Sequence, residues 1–436
     1  MEWQLVLLLI FGSLMILMAT GMPVAFCFMF INLVGMYVFF GLTGLEQLII
    51  SMYRTLNTFI LLPIPLFILM GEVLFHSGIA PVLIKTLDKW LGRLPGRLSL
   101  LAVASGTLFS TLTGTSLASV AMLGSVLVPE MEQQGYKKSM TLGPILGSGG
   151  LAMMIPPSAL AVLCGAIAEI SIGKILIAII IPGLVMAAIY AAYIIARCWL
   201  QPSIAPTYVV PPIPLSEKLL ATARYVLPQG VVIFLCIGVI FLGVTTPSEA
   251  AATGSIGTII LALCYRRLNW EVLKKAITGT ISVTGMLFLI IAGATAFSQI
   301  LAYSGASASL SALVTGLPVA PIIIIMVMQV VILFLGCFMD VVSIMMITLP
   351  IFVPVVLSMG FNSVWFAVIF LINIEVAGIS PPFGLSLFVM KGVAPPDTTM
   401  GDIYRAALPF CGLSLVAMAL IMAFPALALW LPGLMR

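Results

Sequence analysis

Long apolar runs separated by short polar breaks occupy the chain from end to end. An α-helix needs about 20 apolar residues to cross a bilayer, and most of the runs have that length. The pattern predicts about ten crossings, near 4–20, 24–41, 56–76, 139–170, 175–197, 226–244, 247–265, 280–302, 362–390 and 406–430. The expected fold class is therefore an all-α polytopic membrane protein.

Composition agrees with this prediction and excludes other classes. Of the 436 residues, 62% are hydrophobic and only 7% are charged, whereas soluble proteins carry about 25% charged residues. The first apolar stretch, 5–18, lacks a basic segment before it and an Ala-x-Ala cleavage site after it, so we expect a mature span. The net charge of +4 comes without a basic, aromatic-rich patch, which indicates no nucleic-acid partner.

The seven cysteines are scattered and form no Cys-x-x-Cys motif, and His76 is the only histidine. A structural zinc or haem site is therefore not expected. Cysteines inside apolar runs are expected to pack as small apolar side chains.

The chain contains an internal repeat. Three features recur 225 residues apart without a gap: Pro129 and Pro354, Gly135 and Gly360, and Pro156-Pro157 and Pro381-Pro382. We expect a first repeat over 1–200 and a second over 226–436, joined by a polar, proline-rich linker over 201–225.

The two halves carry their basic residues in opposite places. The first half is basic at Lys85, Lys89, Arg93, Arg97, Lys137 and Lys138, whose second-half equivalents are not basic. The second half is basic at Arg266, Arg267, Lys274 and Lys275, which have no basic counterparts around 42–51. The positive-inside rule then places the two repeats in opposite orientations and both chain ends outside the cytoplasm. Inverted repeats are typical of secondary transporters.

Two apolar segments do not fit as crossings. Residues 98–131 lie between basic segments that share one side, so we expect a re-entrant hairpin with its polar tip near 111–116. By the repeat, 321–358 forms a second hairpin that turns near 336–343. Each is followed by a span that we expect to be broken, 139–170 at 147–157 and 362–390 at 378–382.

A single break would favour a plain helix kink, but two at equivalent positions favour a site. Non-helical backbone at this depth is tolerated only where it faces protein or a watery cavity. We therefore expect a binding site near the bilayer midplane, between the hairpin tips and the breaks.

Asp340 is the strongest candidate for chemistry, because no Lys or Arg occurs between Lys275 and Lys391. A buried carboxylate is expensive in hydrocarbon and is a functional candidate by default. In the 225-residue register it aligns with Thr115 of the first tip. Ligation of Na⁺ and a structural hydrogen bond both stay open for it.

Hydroxyl and carbonyl oxygens extend the candidate cation site. At the first tip these are the side chains of Thr113, Thr115, Ser116 and Ser119, and the carbonyls are those near Gly149, Gly336 and Gly378. Half-helix ends that supply oxygens to Na⁺ are known in broken-helix transporters. The alternative is that each hydroxyl only bonds a neighbouring carbonyl.

At these residues the sequence resembles a known family, the large membrane subunit of tripartite ATP-independent periplasmic (TRAP) transporters. The resemblance is carried, in family order over nearly the whole chain, by 65–72 (PLFILMGE), 114–116 (GTS) with Gly124 and Pro129, Gly135-Tyr136, 155–158 (IPPS), 246–250 (TPSEA), 335–340 (LGCFMD), Glu375 and 381–384 (PPFG).

The resemblance implies an elevator-type sodium symporter subunit in the bacterial inner membrane that imports a small anionic, carboxylate solute. Its implied partners are a small four-helix membrane subunit, expected as a separate polypeptide, and a periplasmic solute-binding protein. The family's first sodium site maps onto the Ser116 tip with the Gly149 region, and the second onto the Asp340 hairpin with 378–382.

Solute binding is expected at the two breaks. The residues are Pro156, Pro157, Ser158, Ser380, Pro381 and Pro382, together with Glu249. For Glu249, capping of a helix that begins after Thr246 is the alternative to a transport role. The chain departs from the family pattern at Ser380, usually Thr, and at Asn362-Ser363, usually acidic-Pro.

Other classes compete with this interpretation. A stand-alone sodium/dicarboxylate symporter of similar hairpin architecture is the nearest alternative, and a channel is a further one. An intramembrane aspartyl protease needs two carboxylates that share a proton, and Asp340 has no aspartate partner in a predicted span. The sequence also lacks a phosphate-binding Gly-x-x-x-x-Gly-Lys-[Ser/Thr] motif, so we expect an ion gradient rather than ATP, and no enzyme activity.

The inverted topology predicts that Lys137 and Arg267 face the cytoplasm while Ser309 faces outward. Cysteine placed at position 309 should react with a membrane-impermeant thiol reagent on whole cells, and cysteine at 137 or 267 should react only after permeabilisation. The unsubstituted chain, with its seven native cysteines, measures the background. External labelling at position 137 would contradict the inverted repeat.

Overall fold

The fold is built from helices throughout the part of the chain that is described. In the computed structural model these residues are 3–92, 94–113, 116–206, 213–336, 339–382 and 384–435, and they contain no strand. The first half contains α1 (Trp3–Ala19), α2 (Val24–Leu56), α3 (Pro63–His76), α4 (Ala80–Leu91), α5 (Arg97–Thr113), α6 (Ser116–Gln133), α7 (Lys138–Met154), α8 (Ala159–Ile167), α9 (Ile172–Ala178) and α10 (Ile180–Leu200).

The rest of the chain is equally helical. Its helices are α11 (Leu215–Ala221), α12 (Leu227–Ile233), α13 (Val239–Phe241), α14 (Pro247–Cys264), α15 (Trp270–Tyr303), α16 (Ala306–Thr315), α17 (Pro321–Gly336), α18 (Val341–Ser358), α19 (Ser363–Ile379), α20 (Leu385–Val393), α21 (Met400–Ala423) and α22 (Ala426–Gly433). Short 3₁₀ turns lie at Phe59–Leu61 and Pro202–Ile204, and π-helical turns at Thr222–Val226 and Phe234–Gly238 join α11, α12 and α13.

Length and hydropathy fit a polytopic membrane protein. Within the described residues, eight helices are long and apolar enough to span a bilayer, or nine when the bent pair α7 and α8 counts as one span. The predicted total of about ten includes two shorter apolar helices, Gln4–Met18 and Ser363–Ile379. One of the eight is Val341–Ser358, which the sequence assigns to a re-entrant hairpin. The re-entrant path and the total of ten stay predictions.

The outer surface is apolar to an extent that water would not tolerate. Large side chains such as Leu8, Leu42, Phe59, Val244 and Trp270 are all at least 70% exposed. Exposed apolar area on this scale marks a surface that another phase or partner covers. A lipid bilayer is the expected neighbour.

Two helices form the centre of the larger hydrophobic core. In α7 every residue from Met140 to Met154 is buried, and in α19 every residue from Val364 to Ile379 is buried. A helix that is apolar all round must be enclosed by other helices. Here α7 contacts α5, α6, α10, α19 and α21, while α19 also contacts α17, α18 and α20.

A separate, smaller core joins the long helices α2 and α15. Phe28 and Phe297 meet edge to face with ring centroids 5.1 Å apart, and the Asn32 amide donates to the Gly293 carbonyl at 2.7 Å. These contacts belong to a hydrophobic cluster distinct from the one around α7 and α19. The two clusters share helices, because α15 also contributes Leu287 and Ile291 to the larger cluster and α18 contributes Met346 and Ile347 to the smaller one.

Several helices extend beyond the predicted crossings. Helix α2 continues past a non-helical kink at Gly41, where φ is 63°, and ends at Leu56. The helical run that contains α11 begins at Leu215, inside the segment 201–225 that was expected to be a linker. Pro214 immediately precedes this helix, and proline is well tolerated at a helix start because its missing N–H is not needed there.

Candidate ion and solute site

The helices around the predicted site follow the 225-residue repeat. Adding 225 to the bounds of α6 and α7 reproduces the bounds of α18 and α19 at both ends. The α8 bounds require 226 to reach those of α20. Both breaks contain a cis Pro-Pro bond, Pro156-Pro157 and Pro381-Pro382.

The first break is confined to the four residues between α7 and α8. The α7 helix continues to Met154 and meets α8 at an angle of 48°. Pro156 and Pro157 are buried, and they have no N–H to bond the carbonyls of Ala152 and Met153 four residues earlier. Ser158 is fully buried, and its hydroxyl accepts from the Ala161 amide at 3.2 Å, which caps the start of α8.

This geometry changes the expectation for Gly149. The sequence predicted a break from Gly147 onward that would free the Gly149 carbonyl, but α7 is helical through this segment. The glycines are needed for close packing instead. A Cβ on Gly149 would lie 2.3 Å from Val120 Cγ2, and one on Gly147 would lie 2.5 Å from the Phe410 ring. Instead, the carbonyls that lose their helical donors are those of Ala152 and Met153, four residues before Pro156 and Pro157. The sequence alone contains this information, because it follows from the positions of the two prolines.

At the second break, two carbonyl oxygens lie close together. Pro381 and Pro382 have no N–H to bond the carbonyls of Ala377 and Gly378 four residues earlier, although the Ser380 amide donates to the Ala377 carbonyl at 3.4 Å. A Cβ on Gly384 would lie 2.7 Å from the Gly378 oxygen and 2.8 Å from the Ser380 oxygen, so both oxygens lie near one position. The Ser380 carbonyl also accepts from the Gly384 amide at 3.0 Å.

Side-chain contacts hold this second break in place. The Ser380 hydroxyl donates to the Pro381 carbonyl at 3.4 Å, and the Tyr404 hydroxyl donates to the Pro382 carbonyl at 2.9 Å. Pro382 is exposed, unlike the buried Pro157 of the first break. The two breaks therefore differ in their access from outside the protein.

The first helix pair, α5 and α6, brings oxygens to α7. Thr115 lies outside the described residues, and of Thr113 only the backbone is described. Ser116 begins α6 and is nearly buried, while Ser119 is fully buried one turn later. The Ser116 carbonyl lies 3.5 Å from the Cβ position of Gly149. The predicted partners Ser116 and Gly149 are thus neighbours.

The second helix pair, α17 and α18, places Asp340 at the start of α18. Its Oδ2 accepts from the amides of Val342 at 3.0 Å and Ser343 at 3.1 Å. Oδ1 accepts from the Ser343 hydroxyl. Among the described residues no Lys, Arg or His forms an ion pair with this half-buried carboxylate. Asp340 therefore makes structural hydrogen bonds at the start of α18. Within the described residues its carboxylate has no positively charged partner.

The other members of the second group lie close together. A Cβ on Gly336 would lie 2.2 Å from the Ala377 Cβ and 2.8 Å from its Cα, so α17 touches α19 directly before Gly378. The end of α17 therefore lies against the last turn of α19, one residue before Gly378. In the described residues no group of three or more His, Cys, Asp or Glu side chains is placed to hold a metal ion. A cation here would depend on carbonyl and hydroxyl oxygens with a single carboxylate.

Glu249 does not join these residues. Its carboxylate accepts from the Thr246 amide at 2.8 Å and hydroxyl at 3.0 Å, and the Thr246 hydroxyl accepts from the Glu249 amide. This reciprocal arrangement is a capping box at the start of α14. Helix α14 packs mainly against α3 and against the helical run of α12 and α13.

A cavity of about 680 Å³ lies between the start of α3, the α8–α9 connection and the start of α14. Its lining includes the polar side chains of Thr55, Thr58, Glu169, Ser171 and Ser248. By the predicted topology this cavity opens on the periplasmic side. It reaches the end of α8, whereas Ser158 lies at the start of that helix.

A loop ion pair lies beside the first broken helix. The Lys138 ammonium, at the start of α7, donates to the Asp397 carboxylate at 2.7 Å. This bond holds the pKa of Asp397 below its usual range. The pair ties the α20–α21 loop to α7.

Helices of this length and hydropathy define a multi-pass membrane protein, and comparison with known proteins gives its family. The chain matches the family described as "Tripartite ATP-independent periplasmic transporter, DctM component" over residues 11–427. It is 33% identical over 397 residues to the C4-dicarboxylate TRAP transporter large permease protein DctM of Pseudomonas aeruginosa, covering 90% of this chain and 91% of that one. It is 27% identical over 428 residues to the sialic acid TRAP transporter large permease protein SiaM of Vibrio cholerae, covering 98% of both.

Two solved structures share the fold at low sequence identity. The YdaH transporter of Alcanivorax borkumensis superimposes with a TM-score of 0.62 at 16% identity over 91% of each chain. MtrF of Neisseria gonorrhoeae gives a TM-score of 0.64 at 16% identity over 90% of this chain and 85% of that one.

The chain therefore belongs to the DctM component family of TRAP transporters, and it is a large membrane subunit of such a transporter. The resemblance predicted from sequence is confirmed. Membership implies a transport role, a location in the bacterial inner membrane, and partnership with a small membrane subunit and a periplasmic binding protein.

The capping box generates a prediction for Glu249. Glutamine can also complete a capping box, so Glu249→Gln should keep solute uptake within about twofold, which is under about 0.4 kcal/mol. Glu249→Ala should lower the melting temperature of the purified protein while its half-saturating solute concentration stays unchanged. A strong rise in that concentration for Glu249→Gln would restore Glu249 to the solute site.

Proposed function

We propose that this TRAP subunit imports a small carboxylate solute by symport with Na⁺, after a periplasmic binding protein has delivered the solute. The observation that carries the proposal is the paired arrangement of α6–α7 and α18–α19, in which each broken helix lies against a helix pair with oxygen-bearing residues at its end.

Two cation sites fit this arrangement. The first would use the Ser116 end of α6, with Thr113, Thr115 and Ser119, close to Gly149 and the freed carbonyls of Ala152 and Met153. The second would use Asp340 with the carbonyls near Gly336 and Gly378. Hard cations prefer such oxygen ligands, and broken transport helices supply them in other secondary transporters.

The charge of Asp340 supports a cation at the second site. A carboxylate in the middle of a bilayer costs at least about 2.5 kcal/mol even on the lowest scales. Asp340 has no ion-pair partner in the described residues, so a bound Na⁺ would supply the missing positive charge. Its hydrogen bonds from Val342 and Ser343 orient the carboxylate for this role.

An anionic solute suits the two breaks. Helices α8 and α20 both begin there, and a helix N-terminus favours negative charge. Pro156, Pro157 and Ser158 would line one side, and Ser380, Pro381 and Pro382 the other. Relatives named for C4-dicarboxylates and for sialic acid carry acids, which supports a carboxylate as the recognised group.

The transport step in this proposal is an elevator-type movement. The core around α7 and α19 contains both breaks, and the core around α2 and α15 contains neither. Movement of the broken helices and their helix pairs relative to α2 would carry the site across the membrane. Coupling requires that Na⁺ and solute together favour one of the two states, because a ligand that binds both equally shifts nothing.

The proposed assembly contains a separate small four-helix subunit and a periplasmic binding protein, with both ends of this chain in the periplasm. No feature of the described residues favours the stand-alone symporter over this assembly. The two differ in one measurable property, the need for the partner proteins.

Reconstitution in liposomes tests the proposal. With the small subunit and binding protein present, an inward Na⁺ gradient should drive uptake of a radiolabelled solute from a panel that includes a C4-dicarboxylate and sialic acid. Asp340→Asn should lower this uptake at least tenfold, or about 1.4 kcal/mol, because the amide removes the charge that offsets Na⁺. Glu132→Gln makes the same acid-to-amide change at an exposed position near the end of α6 and serves as the matched control.

Two outcomes would contradict parts of the proposal. Sodium-driven uptake by this chain alone would favour the stand-alone symporter. Uptake that ignores Na⁺ and follows a proton gradient would overturn the assignment of the ion.

A further inference from the structure

Glu375 is a buried carboxyl group that the proposed transport cycle does not use. It lies on α19, five residues before the break at Ser380, and is only 1% exposed. Its side chain packs against Gly150 of α7, where a Cβ would lie 2.1 Å from Glu375 Oε1. Gly150 and Glu375 are 225 residues apart, so the contact joins equivalent positions of the two broken helices. Gly149 faces α6 instead.

A chain of oxygen atoms leads away from this carboxyl group. The Tyr190 hydroxyl, on α10, lies 3.3 Å from Glu375 Oε1 and 2.6 Å from the Ser414 hydroxyl on α21. The Ser414 hydroxyl donates to the Phe410 carbonyl at 2.9 Å. Tyr190 and Ser414 are both fully buried.

Counting the hydrogens shared by these four oxygen-bearing groups shows which protonation state of Glu375 allows every contact to be a hydrogen bond. Three contacts need three hydrogens, and the hydroxyls of Tyr190 and Ser414 supply one each. The Tyr190 hydroxyl can donate to Glu375 only if Ser414 donates to Tyr190, which leaves the contact with Phe410 without a hydrogen. When Ser414 donates to Phe410 instead, the hydrogen of Tyr190 is used on Ser414. The contact between Glu375 and Tyr190 then has a hydrogen only if the carboxyl group carries one.

The surroundings agree with a neutral carboxyl group. In the described residues Glu375 has no ion-pair partner, and its Oε2 has no hydrogen-bond donor. The other ionisable side chain next to Tyr190 is Cys411, whose thiol donates to the Ile379 carbonyl at 3.5 Å. An isolated carboxylate in such a place would be strongly disfavoured, and protonation removes the cost.

We propose that Glu375 is a positioning residue that is protonated at neutral pH, whose carboxyl group donates to Tyr190 and fastens the two broken helices to α10 and α21. The cross-link lies five residues before each break, at Gly150 before Ile155 and at Glu375 before Ser380. It sets the distance between α7 and α19 at the point where each helix opens. The proton on Glu375 stays in place during transport, so it is not a second coupling ion. This proposal rests on the proposed function only where uptake is measured.

Infrared spectroscopy of the purified wild-type chain tests the proton directly. At neutral pH the spectrum should contain the C=O stretch of a protonated carboxyl group, and Glu375→Gln should remove it. Tyr190→Phe should keep the band and shift it to higher frequency, because the hydrogen bond is lost. A wild-type spectrum with no band that depends on Glu375 would overturn the proposal whether or not the protein transports with Na⁺.

Uptake by the reconstituted transporter tests the positioning role. Glu375→Gln keeps the shape and can donate an amide hydrogen to Tyr190, so its uptake and half-saturating Na⁺ concentration should stay within about twofold of wild type between pH 6 and 8. Glu375→Ala should lower uptake at least tenfold. Loss of uptake in a folded Glu375→Gln protein would show that the carboxyl group must release its proton, and would overturn the proposal. Wild-type uptake that ignores Na⁺ would instead contradict the proposed function alone.

Discussion

Backbone amides and carbonyls cannot stay unpaired in hydrocarbon, and this constraint decides where the chain can carry a site. Continuous helices satisfy it almost everywhere. At Pro156-Pro157 and Pro381-Pro382 the missing N–H groups leave carbonyls without their usual donors. Such carbonyls are tolerated only inside protein or beside polar groups or ions, which is why both broken helices lie at the centre of the larger core.

Close approach between helices follows from the same constraint, since the buried carbonyls of a broken helix need protein neighbours. The α7 helix achieves this with small residues. A Cβ on Gly143 or Gly147 would strike Phe410, one on Gly149 would strike Val120, and one on Gly150 would strike Glu375. Packing of small residues is a main source of helix association in membranes, where lipid is as apolar as the side chains. The glycines of α7 thus allow α6, α19 and α21 to pack closely against this broken helix.

Apolar runs, the 225-residue repeat and the proline pairs were enough to predict helices, an all-helical membrane fold and breaks near the observed places. They could not separate glycines that pack from glycines that interrupt a helix, because both have the same composition. For this reason the sequence pattern predicts the break too early, at Gly147, and the freed carbonyl at Gly149, whereas α7 stays helical to Met154. The partnership of Glu375 with Tyr190 and Ser414 depends on helices distant in sequence, and no local pattern contains it.

The oxygens around the two breaks are proposed to bind Na⁺. The dependence of the protein's melting temperature on Na⁺ concentration tests this binding most directly. The purified chain, without its partners, should melt at a higher temperature in NaCl than in choline chloride of equal ionic strength, and the increase should saturate with Na⁺. Binding at ten times Kd adds about 1.4 kcal/mol per site. Identical melting temperatures in the two salts at all concentrations would contradict the account.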